Sequence, residues 1–99
     1  MTDFKQAARD RLDAVHDRLL ELSHRIYENP EIRFEEVKAS AWLVELLAGE
    51  GLSVEKPFCD LPTAFRATAG NGPLHIAVCA EYDALPVIGH ACGHNIIAT

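Results

Sequence analysis

Leu74-His75-Ile76-Ala77-Val78-Cys79-Ala80 is apolar at every position but His75. A strand with one face in water alternates polar and apolar residues. A nearly unbroken apolar run is expected of a strand covered on both faces inside an α/β sheet. Working outward from it, Gly70-Asn71-Gly72-Pro73 reads as a turn and Ala64-Phe65-Arg66-Ala67-Thr68-Ala69 as a second strand. Earlier still, Leu52-Ser53-Val54-Glu55-Lys56 alternates as a short strand before Pro57.

The first half of the chain reads as two helices. Leu12, Val15, Leu19, Leu22 and Ile26 recur three and four residues apart, with Arg, Asp, Glu and His between them. That is one apolar stripe on a helix from about Asp3 to Glu28, ended by Asn29-Pro30 because proline disfavours helix at the residue before it. The stripe is too short for a coiled coil and suits a surface helix packed on a domain. A second helix is predicted over about Glu35–Ala48, with Val37, Ala41, Val44 and Leu47 on one face, widened by Trp42 and Leu43. Gly49-Glu50-Gly51 supplies residues that tolerate positive φ at its end. The fold class is therefore α/β, two helices followed by strands of a mixed sheet. Two helices can hardly cover both faces of such a sheet, so the domain is expected to be incomplete within this chain.

Composition excludes several classes. The 99 residues suffice for one domain, and 48% hydrophobic with 24% charged is an ordinary globular mix, not a disordered one. Fifteen acidic against nine basic residues give a net charge of −6 with no basic cluster to track a phosphate backbone, so nucleic acid is not an expected partner. No apolar run approaches a membrane span, and Met1-Thr2-Asp3-Phe4-Lys5-Gln6 lacks the apolar core of a secretion signal. Cys59, Cys79 and Cys92 are odd in number and read as thiols of a reducing cytoplasm.

Chemistry concentrates after the apolar run. Glu81, Asp83, His90, Cys92 and His94 fall within 14 residues, where α/β sheets bind ligands beyond strand ends. Cysteine and histidine are preferred zinc ligands, and Gly93 between Cys92 and His94 lets the backbone bend so that both face one ion. The spacing alone leaves two readings open, a metal site or a buried thiol and two histidines in a polar loop. Elsewhere, His16 and His24 lie on the solvated side of the first helix, and His75 reads as a core or cross-strand residue. Cys59 and Cys79 read as small apolar fillers, and Glu35-Glu36 as an acidic first-turn pair favoured by the helix dipole. Gly70-Asn71-Gly72 joins two strands with no helix after it, so it is not a phosphate loop.

Three blocks in order, Asn29-Pro30-Glu31-Ile32-Arg33-Phe34-Glu35-Glu36, Ala80-Glu81-Tyr82-Asp83-Ala84-Leu85-Pro86 and Gly89-His90-Ala91-Cys92-Gly93-His94-Asn95, resemble the opening of metallopeptidase family twenty. Within it they are most similar to the amidohydrolase branch, which holds aminoacylase-like enzymes, p-aminobenzoyl-glutamate hydrolase and a dipeptidase subgroup. The resemblance runs from about Leu19 to Thr99 and is most specific in the Cys-Gly-His block after Asp-Ala-Leu-Pro.

The resemblance implies that Cys92 and His94 are metal ligands, Cys92 as a thiolate bridging two divalent ions. Two zinc ions are expected, with manganese, cobalt and nickel as alternatives. The wider family carries His-x-Asp where this chain has Glu81-Tyr82-Asp83, which argues against Glu81 as a ligand. Asp83 is expected to orient a ligating imidazole, and His90 to stand behind the ligands or in the pocket. The implied reaction is hydrolysis of a peptide-like amide in a dipeptide, an N-acyl amino acid or an aminobenzoyl-glutamate. Its general base, a glutamate of a downstream Glu-Glu pair, is not within 1–99, nor is the lid domain through which the family's subunits pair. Residues 1–99 are thus expected to be the first part of a catalytic domain from a cytoplasmic, homodimeric parent, inactive alone. The competing expectation is a non-catalytic remnant or small interaction protein with weak metal binding, since catalytic zinc normally has three protein ligands.

Overall fold

The computed structural model describes residues 3–99, so Met1 and Thr2 of the segment read for an export signal lie outside it. Its elements are α1 (Phe4–Glu28), α2 (Val37–Gly49), β1 (Ser53–Glu55), β2 (Arg66–Thr68) and α3 (His94–Ala98). The fold is mixed α/β. β1 and β2 form a two-stranded antiparallel sheet in the register Ser53–Thr68, Val54–Ala67 and Glu55–Arg66. No helix among the described residues is long and apolar enough to cross a membrane.

α1 starts where Asp3 accepts hydrogen bonds from the Lys5 and Gln6 amides and stops at Asn29, whose N–H reaches back to the Arg25 and Ile26 carbonyls. Only the C-terminal half of its stripe is buried. Leu22 and Ile26 join Ala39 and Leu43 of α2 in the core, with Trp42, Leu46, Phe65, Tyr82 and Ala98 packed around them, whereas Leu12 stays exposed. His16 and His24 are exposed, as their place off the stripe predicts.

The buried face of α2 differs from the one that its apolar residues predict. Ala39, Ser40 and Leu43 are buried, while Val37 and Ala41 face solvent. Small side chains at 39 and 40 let the helix approach its neighbours closely, and a pattern weighted by hydrophobicity cannot register that. The acidic pair also does other work than expected. α2 begins after it, and no acidic residue occupies its first turn. Glu31 supplies the cap, its carboxylate accepting from the Lys38 and Ala39 amides at 3.0 and 2.9 Å. Glu36 is buried, accepting from the Phe34 amide and the Thr63 hydroxyl, each at 2.7 Å. Replacing Glu31 with alanine is expected to cost about 1 kcal/mol in urea unfolding, the usual value of a lost helix cap.

Glu50, at the end of α2, accepts from Arg11 and from Arg18 Nη1 (2.9 Å for Arg18), which ties the helices together. The hydrogen bonds from Arg11 and Arg18 hold its carboxyl below the usual glutamate range. Because the folded form is the stronger acid, this contribution is complete above the unfolded carboxylate range and disappears as pH falls through the folded value. Glu50→Gln is expected to flatten the acid limb of a stability–pH curve, and added salt to shrink the difference.

The run Leu74–Ala80 is not a strand. No described residue pairs with it, and Leu74, Ile76 and Val78 are 79, 82 and 91% exposed. Apolar content signals that a segment is suited to burial, but a ladder also needs a neighbour, and β1 and β2 pair with each other. His75 and Cys79 are accordingly exposed rather than buried, and Cys59 is exposed in a turn where it and Asp60 both have positive φ.

Candidate metal centre

The chain from Ala80 leads into the site. Tyr82 turns inward, stacking on Phe65 with ring centroids 6.0 Å apart and donating its hydroxyl to the Thr63 carbonyl. Burial pushes the Tyr82 phenol above its usual range, the Ser40 hydroxyl opposes this, and the Glu36 charge adds to it. Glu81 and Asp83, on either side of Tyr82 in the chain, both reach the His94 ring. The Ala84 amide then donates to the Glu31 carbonyl at 2.7 Å, fixing this stretch to the α1–α2 connection.

Residues 85–89 form a closed turn in which Leu85 and Gly89 exchange two backbone hydrogen bonds, with Gly89 at positive φ. Gly93 adopts φ 89 as the first residue before α3, a conformation that a side chain at that position would strain. This bend brings His94 back onto Asp83. His94 Nδ1 lies 2.7 Å from Asp83 Oδ1 and 3.1 Å from the Asp83 carbonyl oxygen. With both neighbours acceptors, Nδ1 is the nitrogen that donates, which makes Nε2 the one that a neutral ring would offer to a ligand. Glu81 Oε1 stands 3.8 Å from that Nε2.

The four predicted residues are thus unequally placed. Asp83 and His94 are hydrogen-bonded to one another. Cys92, two residues before His94, is exposed with a free thiol. His90 is buried, 7% exposed, and neither ring nitrogen has a partner. Burial holds His90 below the usual histidine range, the nearby His94 adds to this and Asp83 opposes it. A cleft of about 180 Å3 opens beside Glu81 and Asp83, between Phe34, Leu61 and Tyr82.

The donor set fits a divalent ion in kind. A free thiol and an imidazole nitrogen are borderline-soft donors, and the carboxylate behind the imidazole is the support that metal-bound histidines usually have. It does not suffice in number, because no group of three or more His, Cys, Asp or Glu residues among the described ones is arranged to hold an ion.

Two residues that support this site are not singled out by the sequence. Glu31 holds both the start of α2 and Ala84, and Asn95 joins α3 to Ser23 of α1. A polar residue on the buried side of an amphipathic helix was the available signal for the second, since Ser23 sits between Leu22 and Ile26.

No family model matches the chain. It is 41% identical to Xaa-Arg dipeptidase of Mus musculus over 95% of its own length, 32% identical to a p-aminobenzoyl-glutamate hydrolase subunit of Escherichia coli (strain K12) over 91%, and 32% identical to N-acetyldiaminopimelate deacetylase of Oenococcus oeni over 84%. These alignments cover 24, 22 and 26% of the three relatives, so the chain spans about a quarter of the length of the curated relatives it matches. Over that quarter the chain is a homologue of the metallopeptidase family twenty amidohydrolases.

Proposed function

We propose that this chain carries part of the metal centre of a hydrolase that cleaves a peptide-like amide. The reading rests on one observation above the others. His94 presents Nε2 with Nδ1 secured on Asp83, two residues from an exposed cysteine thiol. Cys92 and His94 are the ligands, and Asp83 orients the imidazole and strengthens it as a donor. His90 stands behind them as a neutral imidazole, which its burial favours.

When bound, a pair of divalent ions, zinc being suited to these donors, polarises the scissile carbonyl and makes water acidic enough to be deprotonated near neutral pH. The chain's own residues hold and orient. Asp83 keeps the proton on Nδ1 of His94, and the loop anchored at Glu31 keeps Glu81 and Asp83 within reach of the His94 ring. Proton abstraction falls to a glutamate of a Glu-Glu pair outside these 99 residues, as do the remaining ligands and the lid through which subunits pair. The substrate class is a dipeptide, an N-acyl amino acid or an aminobenzoyl-glutamate, in line with the activities that the relatives are named for. A cytoplasmic setting suits three unpaired thiols.

Zinc affinity, measured by competition with a chromophoric chelator, tests the metal half of this reading. One or more ions bound with release of protons is the expected result, and no binding at millimolar zinc overturns it. Sequencing the gene past the codon for Thr99 tests the hydrolase half. A frame continuing into a Glu-Glu pair and later histidines supports it. A stop with no such residues in any frame would leave a non-catalytic remnant.

A further inference from the structure

α3 is five residues long, follows Gly93 as its N-cap and has no side-chain cap. A helix of that length does not hold its own shape in water, so its orientation must come from what it touches. Ala98 packs its far end against the core, and its polar attachment is Asn95, which is buried, with Nδ2 donating to Ser23 Oγ at 3.1 Å and lying 3.4 Å from the Ser23 carbonyl oxygen. Ser23 is itself buried on α1, between the core residues Leu22 and Ile26. The residue next to Asn95 is His94, whose ring is held at Nδ1 by Asp83.

We propose that the Ser23–Asn95 pair is a positioning device for His94, fixing the direction of Nε2 by referring α3 to the rigid frame of α1. This rests on the reading of His94 as a metal ligand. Two points determine the imidazole. Asn95 sets the backbone from which the ring projects, and Asp83 sets the ring's rotation and tautomer. With the Asp83 contact and the packing of Ala98 alone, the start of this five-residue helix can turn and carry the ring off its acceptors. With both, the lone pair of Nε2 has one direction. The chemistry also explains an amide at position 95. The Ser23 carbonyl oxygen can only accept, so a donor at position 95 suits it, whereas an aspartate would set its charge against that oxygen in a buried place and keep only the Ser23 hydroxyl as a partner. Asn95 touches no reacting atom and acts through its neighbour.

The test uses the full 99-residue chain with Asn95→Asp, Ser23→Ala and, as a control for lost stability alone, the core change Ile26→Val. Zinc affinity is read by chelator competition, and the His94 tautomer by the nitrogen-15 shifts of its ring. Asn95→Asp is expected to weaken zinc about 10-fold, the lower end of what losing a supporting partner costs, and to mix the His94 tautomers. Ser23→Ala, which keeps the carbonyl acceptor, is expected to shift both readouts the same way by less. Ile26→Val is expected to lower the melting temperature while leaving affinity and tautomer where they are. Wild-type affinity and unchanged ring shifts in both Asn95→Asp and Ser23→Ala overturn the proposal, as does an equal affinity loss in Ile26→Val. If the wild-type chain binds no zinc, the metal reading falls and the ring shifts alone decide the positioning.

Discussion

Replacing His94 with alanine is expected to lower the zinc affinity of the chain by more than about 100-fold, beyond the 10–100-fold that loss of a supporting partner costs. The substitution removes one of the two proposed donors, and among the described residues no group of three or more His, Cys, Asp or Glu is arranged to hold an ion without it. It leaves Asp83 without its imidazole, but that carboxylate is one-third exposed and remains solvated. It also leaves Asn95 on Ser23, so α3 keeps its anchor and the helical signal should not change. Chelator competition on wild-type and His94→Ala chains checks this. Equal affinities would mean that zinc is held elsewhere, with the exposed Cys59 and Cys79 as the places to look.

Ile26→Ala is expected to destabilise the chain by about 3 kcal/mol, within the range for burying an alanine where a fully packed isoleucine stood. Ile26 is 0% exposed and belongs to a buried core of four residues, Leu22, Ile26, Ala39 and Leu43. So small a core has little with which to refill the space, and the loss is a large part of the roughly 5–15 kcal/mol that holds an ordinary domain together. Urea unfolding followed by Trp42 fluorescence suits the measurement, because Trp42 packs against this cluster with the Arg25 guanidinium 4.4 Å from its ring centre. A change below about 1 kcal/mol would show that the α1–α2 contact is looser than the full burial of Ile26 implies.

Much of the architecture is legible in the sequence because it is local. The stripe from Leu12 to Ile26 and the Asn29-Pro30 stop suffice to define α1, and the alternation around Val54 and the strand read over Ala64–Ala69 define β1 and β2 to within a residue or two. Reading Leu74–Ala80 as a strand goes wrong for a non-local reason. Its apolar residues promise burial, but a strand exists only with a partner, and no part of the described chain supplies one. The face of α2 is misjudged for another reason, since Ser40 is buried by closeness of approach rather than by hydrophobicity.

The same division runs through the site. Cys92, His94 and Asp83 can be singled out because their side-chain chemistry is rare in combination, and the structure brings the last two within 2.7 Å. Glu31, Glu36 and Asn95 are invisible by that logic. Each is an ordinary polar residue whose importance comes from partners 7, 27 and 72 positions away, and nothing in the linear order names those partners.

X-ray absorption at the zinc edge of the metal-loaded chain tests the central claim most directly. Ligation by Cys92 and His94 predicts a sulfur scatterer at about 2.3 Å and a nitrogen scatterer at about 2.0–2.1 Å, with the sulfur shell lost in Cys92→Ser. A shell of nitrogen and oxygen only in the wild-type chain, or a sulfur shell that survives Cys92→Ser, would contradict it.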